Sequence, residues 1–308
     1  MTTQKQTISV VVSAYNEEEK IKECLLSVKF ADEIIVVDNQ SSDNTAKTAK
    51  HAGAIVISRP NNAMLNINKN FGFSKASSVW ILNLDADERA TPQLISEIKK
   101  KIGERNGTDG YWIPRKNIIF GKWIEHSIWW PDYQLRLFKN GKGKFAERHV
   151  HEPIEVHGKT EKLEESLIHI NYTTVSQYLQ KLDNIYTENE AEQFIAEGKT
   201  IHWVDAIRFP VNDFLKTFFL QKGYKEGLHG LVLSLLQAFY SLIVFAKVWE
   251  KQGFKEENSK TFLKDTYKEF EKAFSDITYW FLTVTLDETS QKGKKFFYKL
   301  RRKMIKRP

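Results

Sequence analysis

The chain has 308 residues, 41% hydrophobic and 28% charged, which is enough for one large folded domain with an appendage. These fractions are ordinary for a globular protein and exclude a disordered chain. The net charge is +7, but the segment 291–308 holds nine Lys or Arg and no Asp or Glu, so residues 1–290 carry −2. A nucleic-acid-binding fold carries its basic patch on the folded body, so we expect no nucleic-acid partner.

The cysteine content and the N-terminus both bear on the compartment. The single cysteine, Cys24, can build neither a disulfide framework nor a cysteine-based zinc site, which is typical of a reducing environment. Residues 1–7 are polar and pass directly into an apolar run, so we expect no secretory signal and a cytoplasmic protein.

Short apolar runs alternate with helical patterns over the first hundred residues. This alternation predicts βαβ units and a mostly parallel sheet, and hence an α/β fold. The predicted strands are 8–12, 34–37, 54–57 and 80–84, and the predicted helices are 21–28, 45–51, 62–76 and 92–102.

The pattern changes after residue 108. Two further strands are predicted at 111–115 and 117–120, and the aperiodic stretch 121–158 has the composition of a functional loop. Thr174 is a candidate N-cap for the first helix of a helical region, with later helices over 201–251 and 259–284. We therefore predict a domain over 1–172 with halves 1–108 and 109–172, a helical extension over 173–290 and a basic tail over 291–308.

Asp85 and Asp87 follow the predicted strand 80–84 with one alanine between them. Residues i and i+2 of an extended strand share a face, so the two carboxylates would repel each other unless a cation lay beside them. Oxygen ligands of this kind suit Mg²⁺ or Mn²⁺. The alternative without a ligand is a helix that Pro92 begins and that Asp87 or Thr91 caps.

The other predicted strands also end in polar groups at the same edge of the sheet. The first strand is followed by Ala14, Tyr15, Asn16 and Glu17, and the second by Asp38. An aromatic ring and carboxylates at this edge could hold a base and a ribose. No glycine-rich phosphate loop is present in the sequence, so a cation at Asp85 and Asp87 is the natural counter-charge for a diphosphate.

Four segments, VVVSAYNE at 10–17, IIVVD at 34–38, KNFG at 69–72 and ILNLDADE at 81–88, resemble the family 2 glycosyltransferases over residues 7–100. That family has the GT-A fold and uses nucleotide-sugar donors. The resemblance implies that Asp38 and the turn after the first strand hold the base and ribose, and that Asp85 faces the ribose and a metal that Asp87 ligates directly. The donor-binding residues it implies are Ala14, Tyr15, Asn16, Glu17, Asp38, Lys69, Asn70, Asp85, Ala86 and Asp87.

Inversion at a sugar carbon needs a base that takes the proton of the acceptor hydroxyl. We favour Asp132, because its aromatic neighbours suit a sugar ring and would raise the pKa of the carboxyl by desolvation. In similar enzymes an acidic residue shortly before an Arg-Leu-Phe segment has this role, although here Pro131-Asp132 replaces the common Glu-Asp pair. A structural turn Asp after Pro is the alternative, Glu152 is the second choice of base, and Arg136 either contacts the diphosphate or fixes the loop. The remaining candidates for the base are Glu125, Glu147 and Glu155.

His149 and His151 alternate on an extended segment, which places both rings on one face. Either ring could therefore complete the metal site. We favour His151, because Val-His-Glu-Pro resembles a segment of bacterial lipopolysaccharide-core glucosyltransferases. A histidine bonded to a backbone carbonyl is the structural alternative.

Two features near the C-terminus bear on a membrane. The segment 227–246 contains no Lys, Arg, Asp or Glu and has the length of a membrane span, but polar residues interrupt it, so a buried or interfacial helix is favoured. In the tail, Phe296, Leu300 and Met304 lie four apart among Lys and Arg, a pattern typical of a basic amphipathic helix on an anionic membrane surface. The alternative is a solvated tail.

Together these patterns predict a metal-dependent inverting glycosyltransferase at the inner face of a bacterial cell membrane. We expect it to move a hexose from a nucleoside-diphosphate sugar, with UDP favoured, to a lipid-linked or lipopolysaccharide acceptor. The alternative function is a non-catalytic, membrane-tethered module that binds nucleotide sugars. A nucleotidyltransferase is disfavoured because residues 13–17 lack a glycine- and arginine-rich loop.

Overall fold

The computed structural model describes residues 6–62, 65–104, 106–147, 152–257 and 260–305. The chain divides into two compact units. The first comprises residues 1–123 and 129–171, and the second comprises residues 124–128 and 172–308.

The first unit is an α/β structure built on a mixed sheet, with strands in the order β3-β2-β1-β4-β8-β6-β12-β5. The strands β1 to β4 are parallel, β8 runs antiparallel to both β4 and β6, and β12 and β5 pair antiparallel at the far edge. The strands β7 and β11 pair with β6, while β9 and β10 form a separate pair. The strands are Ile8–Ala14 (β1), Glu33–Asp38 (β2), Ile55–Ser58 (β3), Trp80–Asp85 (β4), Glu88–Ala90 (β5), Thr108–Ile119 (β6), Lys122–Trp123 (β7), Asp132–Lys139 (β8), Gly143–Lys144 (β9), Glu155–Val156 (β10), Lys159–Lys162 (β11) and Leu167–Tyr172 (β12).

The helices of the first unit cover both faces of this sheet, which buries β1 on both sides. Val10 and Val12 belong to one hydrophobic cluster and Val11 to a second one, as the alternation of side chains along a strand requires. The predicted α/β fold with a mostly parallel first half is confirmed. The helices are Glu18–Ser27 (α1), Thr45–His51 (α2), Leu65–Lys75 (α3) and Pro92–Gly103 (α4).

The start of α4 shows which residue caps it. The Thr91 hydroxyl accepts a hydrogen bond from the Leu94 backbone N–H at 3.1 Å, and Pro92 occupies the first turn. Thr91 is therefore the N-cap, and this leaves the Asp87 carboxylate for another role.

Two predicted elements differ in the structure. The strands expected at 111–115 and 117–120 are one strand, β6, because its ladder with β8 continues through the position of Pro114. The helix expected over 201–251 is broken by a π-helical turn and then by Lys222 and Gly227, which have φ angles of 62° and 63°. Positive φ angles end a helix, so the chain changes direction there before the next helix begins.

The second unit is helical. The segment 124–128 belongs to it: the Glu125 backbone N–H donates to Glu226 at 3.0 Å, and the Ser127 N–H donates to the Gln221 carbonyl at 2.7 Å. The predicted N-cap is present, because the Thr174 hydroxyl accepts from the Gln177 N–H at 3.1 Å. The predicted tail helix is also present. The helices are Val175–Lys181 (α5), Glu188–Ala196 (α6), Asp205–Phe214 (α7), Leu228–Lys251 (α8), Phe262–Glu288 (α9) and Lys292–Lys303 (α10).

Helix α3 packs closely on the sheet at Gly72. A Cβ atom at this position would lie 2.5 Å from Val11 Cγ1 and 3.0 Å from Val37 Cγ2. We expect Gly72→Ala to destabilise the first unit by about 1–3 kcal/mol, because the buried valines have no space to move. The measurement is the urea dependence of the labelling of the Cys24 thiol, which is fully buried in this unit.

Gly103 provides the matched control for this substitution. It ends α4, and a Cβ atom there would meet no atom within 4 Å. Gly103→Ala should therefore be neutral or stabilise by about 0.5–1 kcal/mol through helix propensity. Equal unfolding midpoints for Gly72→Ala and the wild type would contradict the close packing.

Candidate active site

The carboxyl ends of three parallel strands lie side by side, as the sequence predicts. Ala14 at the end of β1 is the register partner of Asp38 at the end of β2, and Ser13 is the partner of Asp85 at the end of β4. This edge of an open α/β sheet is where such folds bind ligands.

The turn after β1 is held by hydrogen bonds to the segment before α2. The Asn16 side-chain oxygen accepts from the Ser42 N–H at 2.8 Å, and the Glu17 N–H donates to the Thr45 hydroxyl at 2.8 Å. Tyr15 is 44% exposed. The edge therefore presents an aromatic ring on a fixed turn, which suits stacking on a base.

The Asp38 carboxylate is buried beside this turn. It accepts a hydrogen bond from the Ser41 backbone N–H at 3.4 Å, while the Asp38 carbonyl accepts from Arg59 N–H at 2.8 Å. A buried carboxylate at a strand end is an acceptor for hydroxyl groups. This position fits the ribose-binding role that the family resemblance implies.

Asp85 is neutralised by two cations from different elements. Lys69 Nζ on α3 lies 2.7 Å from Asp85 Oδ1, and Arg136 Nη2 on β8 lies 2.5 Å from Asp85 Oδ2. Burial alone would raise the pKa of the Asp85 carboxyl, but Arg136 and Lys69 hold that pKa well below its usual range. Asp85 is therefore ionised and fully ion-paired.

The ion pairs continue beyond Asp85 in an alternating network. Arg136 Nη2 also contacts Glu88 Oε1 at 2.6 Å, and Glu88 is completely buried. Arg115 Nη1 lies 3.3 Å from the same Glu88 oxygen, and Arg115 Nη2 lies 2.6 Å from Asp132 Oδ2. We name Lys69, Asp85, Arg136, Glu88, Arg115 and Asp132 the ion-pair network.

Asp85 and Asp87 do not share the face of one strand, contrary to the sequence-based expectation. Strand β4 ends at Asp85, and Ala86 and Asp87 form a turn before β5 begins. The turn directs Asp87 to a separate partner, because its Oδ1 atom lies 3.6 Å from His169 Nε2 on β12.

The hydrogen bonds around His169 indicate which ring nitrogen carries the proton when the imidazole is neutral. Asn117 Nδ2 donates to the Trp129 carbonyl at 2.8 Å and to Asp132 Oδ2 at 3.2 Å, so Asn117 Oδ1 is an acceptor. His169 Nδ1 lies 2.6 Å from that oxygen and donates to it. In the neutral tautomer, His169 Nε2 therefore presents its lone pair toward the Asp87 carboxylate, and a cation between the two would join them.

These contacts show which of the candidate side chains could bind a divalent metal. Asp85 does not fit the expected role of a ligand in this arrangement, because cationic side chains occupy both of its oxygens. Asp87 and His169 do fit, since Asp87 Oδ1 and His169 Nε2 lie 3.6 Å apart and metal–ligand distances are about 2.1 Å. Within the residues that the structure describes, no group of three or more His, Cys, Asp or Glu side chains converges on one point. His149 and His151 lie outside the described residues.

Asp132 has many hydrogen-bond donors around it. Its Oδ2 atom accepts from Arg115 and Asn117, and its Oδ1 atom accepts from Gln134 Nε2 at 2.9 Å. Burial raises the pKa of Asp132, but the Arg115 charge and these hydrogen bonds outweigh it and lower that pKa below 3.8. The expectation of a raised pKa is wrong, because Arg115 is the register partner of Asp132 across β6 and β8.

Asn70, predicted to bind the donor, and Glu152, the second choice of base, both bond to the loop around residues 145–147. Asn70 bonds to both backbone groups of Phe145 at 2.9 Å and donates to Glu147 at 2.7 Å, so it clamps this loop to α3. Glu152 is buried and accepts from the Glu147 backbone N–H and from Asn66 Nδ2. Of the remaining candidates for the base, Glu125 is in the second unit and Glu155 is on β10.

Four residues of this site were given no role by sequence reasoning. Glu88 directly follows the paired aspartates, so its place in the motif 81–88 is a signal that could have identified it. The other three, Arg115, Asn117 and His169, come from β6 and β12, far along the chain, and only the sheet pairing brings them to this edge.

Removal of Arg136 should be strongly destabilising. Arg136→Met leaves the half-buried Asp85 and the fully buried Glu88 without this cation, so we expect a loss of about 3–5 kcal/mol in the free energy of unfolding at neutral pH. The folded-state pKa of Asp85 is lowered, so its ion pairs stabilise the fold above pH 3.8 and this contribution is lost as the pH falls through that lowered pKa. The difference between variant and wild type should therefore shrink below pH 3.8, measured by urea unfolding at several pH values.

Lys101→Met is the control for this experiment, because Lys101 pairs with Glu104 at the surface at 3.4 Å. We expect little change in stability from this variant. A difference for Arg136→Met that is small, or that grows in acid, would contradict the role given to the network.

Comparisons with known proteins concern the family of the chain. The family model described as Glycosyl transferase family 2 matches residues 9–156, which include the strand ends and the ion-pair network. An uncharacterized glycosyltransferase of Rickettsia typhi is 29% identical over 79% of this chain and 87% of its own length. The lipopolysaccharide core biosynthesis glycosyltransferase LpsC of Rhizobium meliloti is 26% identical over 82% of this chain and 95% of its own length.

Among solved structures, glucosyl-3-phosphoglycerate synthase of Mycobacterium tuberculosis is 24% identical with a TM-score of 0.32. The match covers 36% of this chain and 44% of that one. The four motifs at 10–17, 34–38, 69–72 and 81–88 all lie within the residues that the family model matches. Residues 9–156 of this chain thus match the family 2 glycosyltransferases, and the relatives that align with most of its length are named glycosyltransferases.

Proposed function

We propose that this glycosyltransferase transfers a hexose, with inversion, from a nucleoside-diphosphate sugar to a hydroxyl of a lipid-linked or lipopolysaccharide acceptor. The observation that carries the proposal is the ion-pair network at the carboxyl edge of the sheet. It holds Lys69 and Arg136 beside Asp85 where the strands β1, β2 and β4 end. Fixed cations at such an edge stabilise the negative charge that develops on a leaving diphosphate.

The donor would lie along the three strand ends. The Tyr15 ring suits stacking on the base, and the Asp38 carboxylate suits a ribose hydroxyl. Lys69 packs over the Phe145 ring at 5.5 Å while it contacts Asp85, so its charge is fixed near the expected diphosphate. UDP is the nucleotide that we propose, so UDP-hexoses are the first donors to test.

A divalent cation would be held by Asp87 and His169 and would supply positive charge to the diphosphate. Asp87 Oδ1 and His169 Nε2 lie 3.6 Å apart, which supports the pair as ligands. His151 remains a further proposed ligand that lies outside the described residues.

Asp132 is the proposed base. Its Oδ2 atom is occupied by Arg115 and Asn117, whereas Oδ1 accepts from Gln134 and retains a second lone pair for the acceptor hydroxyl. Its lowered pKa keeps the carboxylate ionised throughout the neutral range. The base is therefore ready at neutral pH, and the hydrogen bonds orient it.

The acceptor proposal depends on the relatives and on the tail. LpsC is named for lipopolysaccharide core biosynthesis, and 82% of this chain aligns with it. The amphipathic helix α10, with its Lys and Arg, would hold the protein at the inner face of the bacterial membrane, where lipid-linked acceptors are exposed.

Removal of divalent cations should abolish donor turnover. We expect treatment with EDTA to stop UDP release from UDP-hexoses, and Mn²⁺ or Mg²⁺ to restore it in the wild type but not in Asp87→Asn. His169→Gln should raise the Mn²⁺ concentration needed for half-maximal activity by about 10–100-fold. Full activity in EDTA, or undiminished turnover by Asp87→Asn, would contradict the proposed metal site.

Asp132→Asn should separate donor binding from transfer. We expect kcat to fall by about 10²–10⁴-fold, the contribution of a general base, with the KM for the donor little changed. Glu152→Gln is the matched comparison and should transfer at near wild-type rate, while protection of the Cys24 thiol checks that both variants are folded. Normal transfer by Asp132→Asn together with inactive Glu152→Gln would move the base to Glu152.

A further inference from the structure

Several polar side chains of helix α8 face the protein, beside the buried apolar side chains of Leu233, Val244 and Val248. Ser234 and Ser241 are buried, and Ser241 donates to the Asp213 carboxylate on α7. Gln237 Nε2 donates to the same carboxylate at 3.2 Å, and the Tyr240 hydroxyl donates to Glu190 on α6. The polar residues that interrupt this apolar sequence therefore form its inner side.

Other large apolar side chains of α8 are exposed along its outer side. Leu228 is 74% exposed and Leu235 is 52% exposed. Spacings of three and four residues place such side chains along one line of a helix. This line, named the outer stripe, comprises Leu228, Leu231, Leu235, Phe239, Leu242 and Trp249.

The next helices of the same unit expose further apolar rows. Phe274 on α9 is 74% exposed and follows Tyr267 and Phe270 along one side of that helix. Phe296, Leu300 and Met304, four residues apart in the tail, are also exposed. Soluble monomers rarely expose so many large apolar side chains, so this unit has a surface for an apolar partner.

The charge of the tail helix α10, which packs on α9, indicates the kind of partner. Helix α10 carries seven Lys or Arg between residues 292 and 303, and the segment 291–308 has no acidic residue. A second copy of the chain would bring like charges together, whereas an anionic lipid surface complements them. A lysine or arginine near such a surface contributes about fivefold in affinity.

The contacts of α8 also indicate whether it would cross a membrane or lie in the plane of its surface. By length and composition, α8 is the one helix among the described residues that could cross a bilayer, and 28% of its most apolar window is buried in the protein. However, its inner side is fixed to Asp213 and Glu190 by hydrogen bonds. Only one side of α8 is thus available to lipid, as in a helix that lies in the plane of the interface.

We propose that the outer stripe of α8, together with α10, docks this protein on an anionic bilayer, with α8 lying in the interface plane. The proposal extends the tail contact of the proposed function to the folded body of the second unit. It does not depend on catalysis, because docking requires no donor or acceptor. An enzyme held in this way would meet lipid-linked acceptors by diffusion within the membrane surface.

The test is flotation of the full chain with phosphatidylcholine vesicles that contain or lack phosphatidylglycerol. We expect the wild type to float with the anionic vesicles and the double variant Leu235→Glu, Phe239→Glu to bind at least about tenfold more weakly, because two inserted side chains are lost. UDP release from the donor should be unchanged in this variant. Circular dichroism checks that its helices remain.

Leu26→Glu is the matched control, since Leu26 is a leucine on α1 of the first unit that is 43% exposed, like Phe239. It should float as the wild type does. The triple variant Lys294→Gln, Lys295→Gln, Lys299→Gln should bind about tenfold or more weakly at low salt, with the difference lost at high salt.

Three results would overturn the proposal: no flotation of the wild type, equal flotation of the Leu235→Glu, Phe239→Glu variant, or a lipid-free dimer that this variant breaks while vesicle binding persists. The last result would make a second copy the partner of the outer stripe. If the protein bound vesicles but turned over no donor, the proposed function would fail while the docking proposal would stand.

Discussion

The neutralisation of Asp85 is the interaction on which the rest of the site depends. A carboxylate that is even partly removed from water is costly unless it is paired, and here α3 supplies Lys69 and β8 supplies Arg136 to the half-buried Asp85. Because both cations must reach the end of β4, the helix and the strand are fixed at the edge where ligands bind. The alternation of charge through Glu88 carries the same constraint to β6. A preorganised electrostatic site of this kind is suited to reactions in which negative charge develops on a leaving group.

Much of the fold follows from local sequence. The β-branched run at β1 predicts a strand buried on both faces, and the structure places Val10 and Val11 in two different hydrophobic clusters. The order of apolar runs and helical patterns predicts the parallel sheet, and the polar strand ends then meet at one edge. This much requires only periodicity and chain order.

The electrostatics of the site does not follow from local sequence. Aromatic neighbours suggest a raised pKa for Asp132, but the register of β6 and β8 places Arg115 opposite it and lowers that pKa. His169 reaches Asp87 only because β12 pairs with β5 at the far edge of the sheet. Pairings between strands that are distant in the chain carry no local signal, so these contacts had to come from the structure. By contrast, the spacing of Ser234, Gln237 and Ser241 already indicates one polar side of α8.

The proposal most directly open to measurement is that Asp87 and His169 hold a divalent metal at the carboxyl edge of the sheet. Electron paramagnetic resonance of Mn²⁺ titrated into the protein with UDP tests this claim directly, because bound Mn²⁺ loses the six-line signal of the free ion. The account predicts one bound Mn²⁺ per chain in the wild type, with much weaker binding in Asp87→Asn and in His169→Gln. Wild-type binding by both variants, or an undiminished signal of free Mn²⁺ with the wild type and UDP, would contradict it.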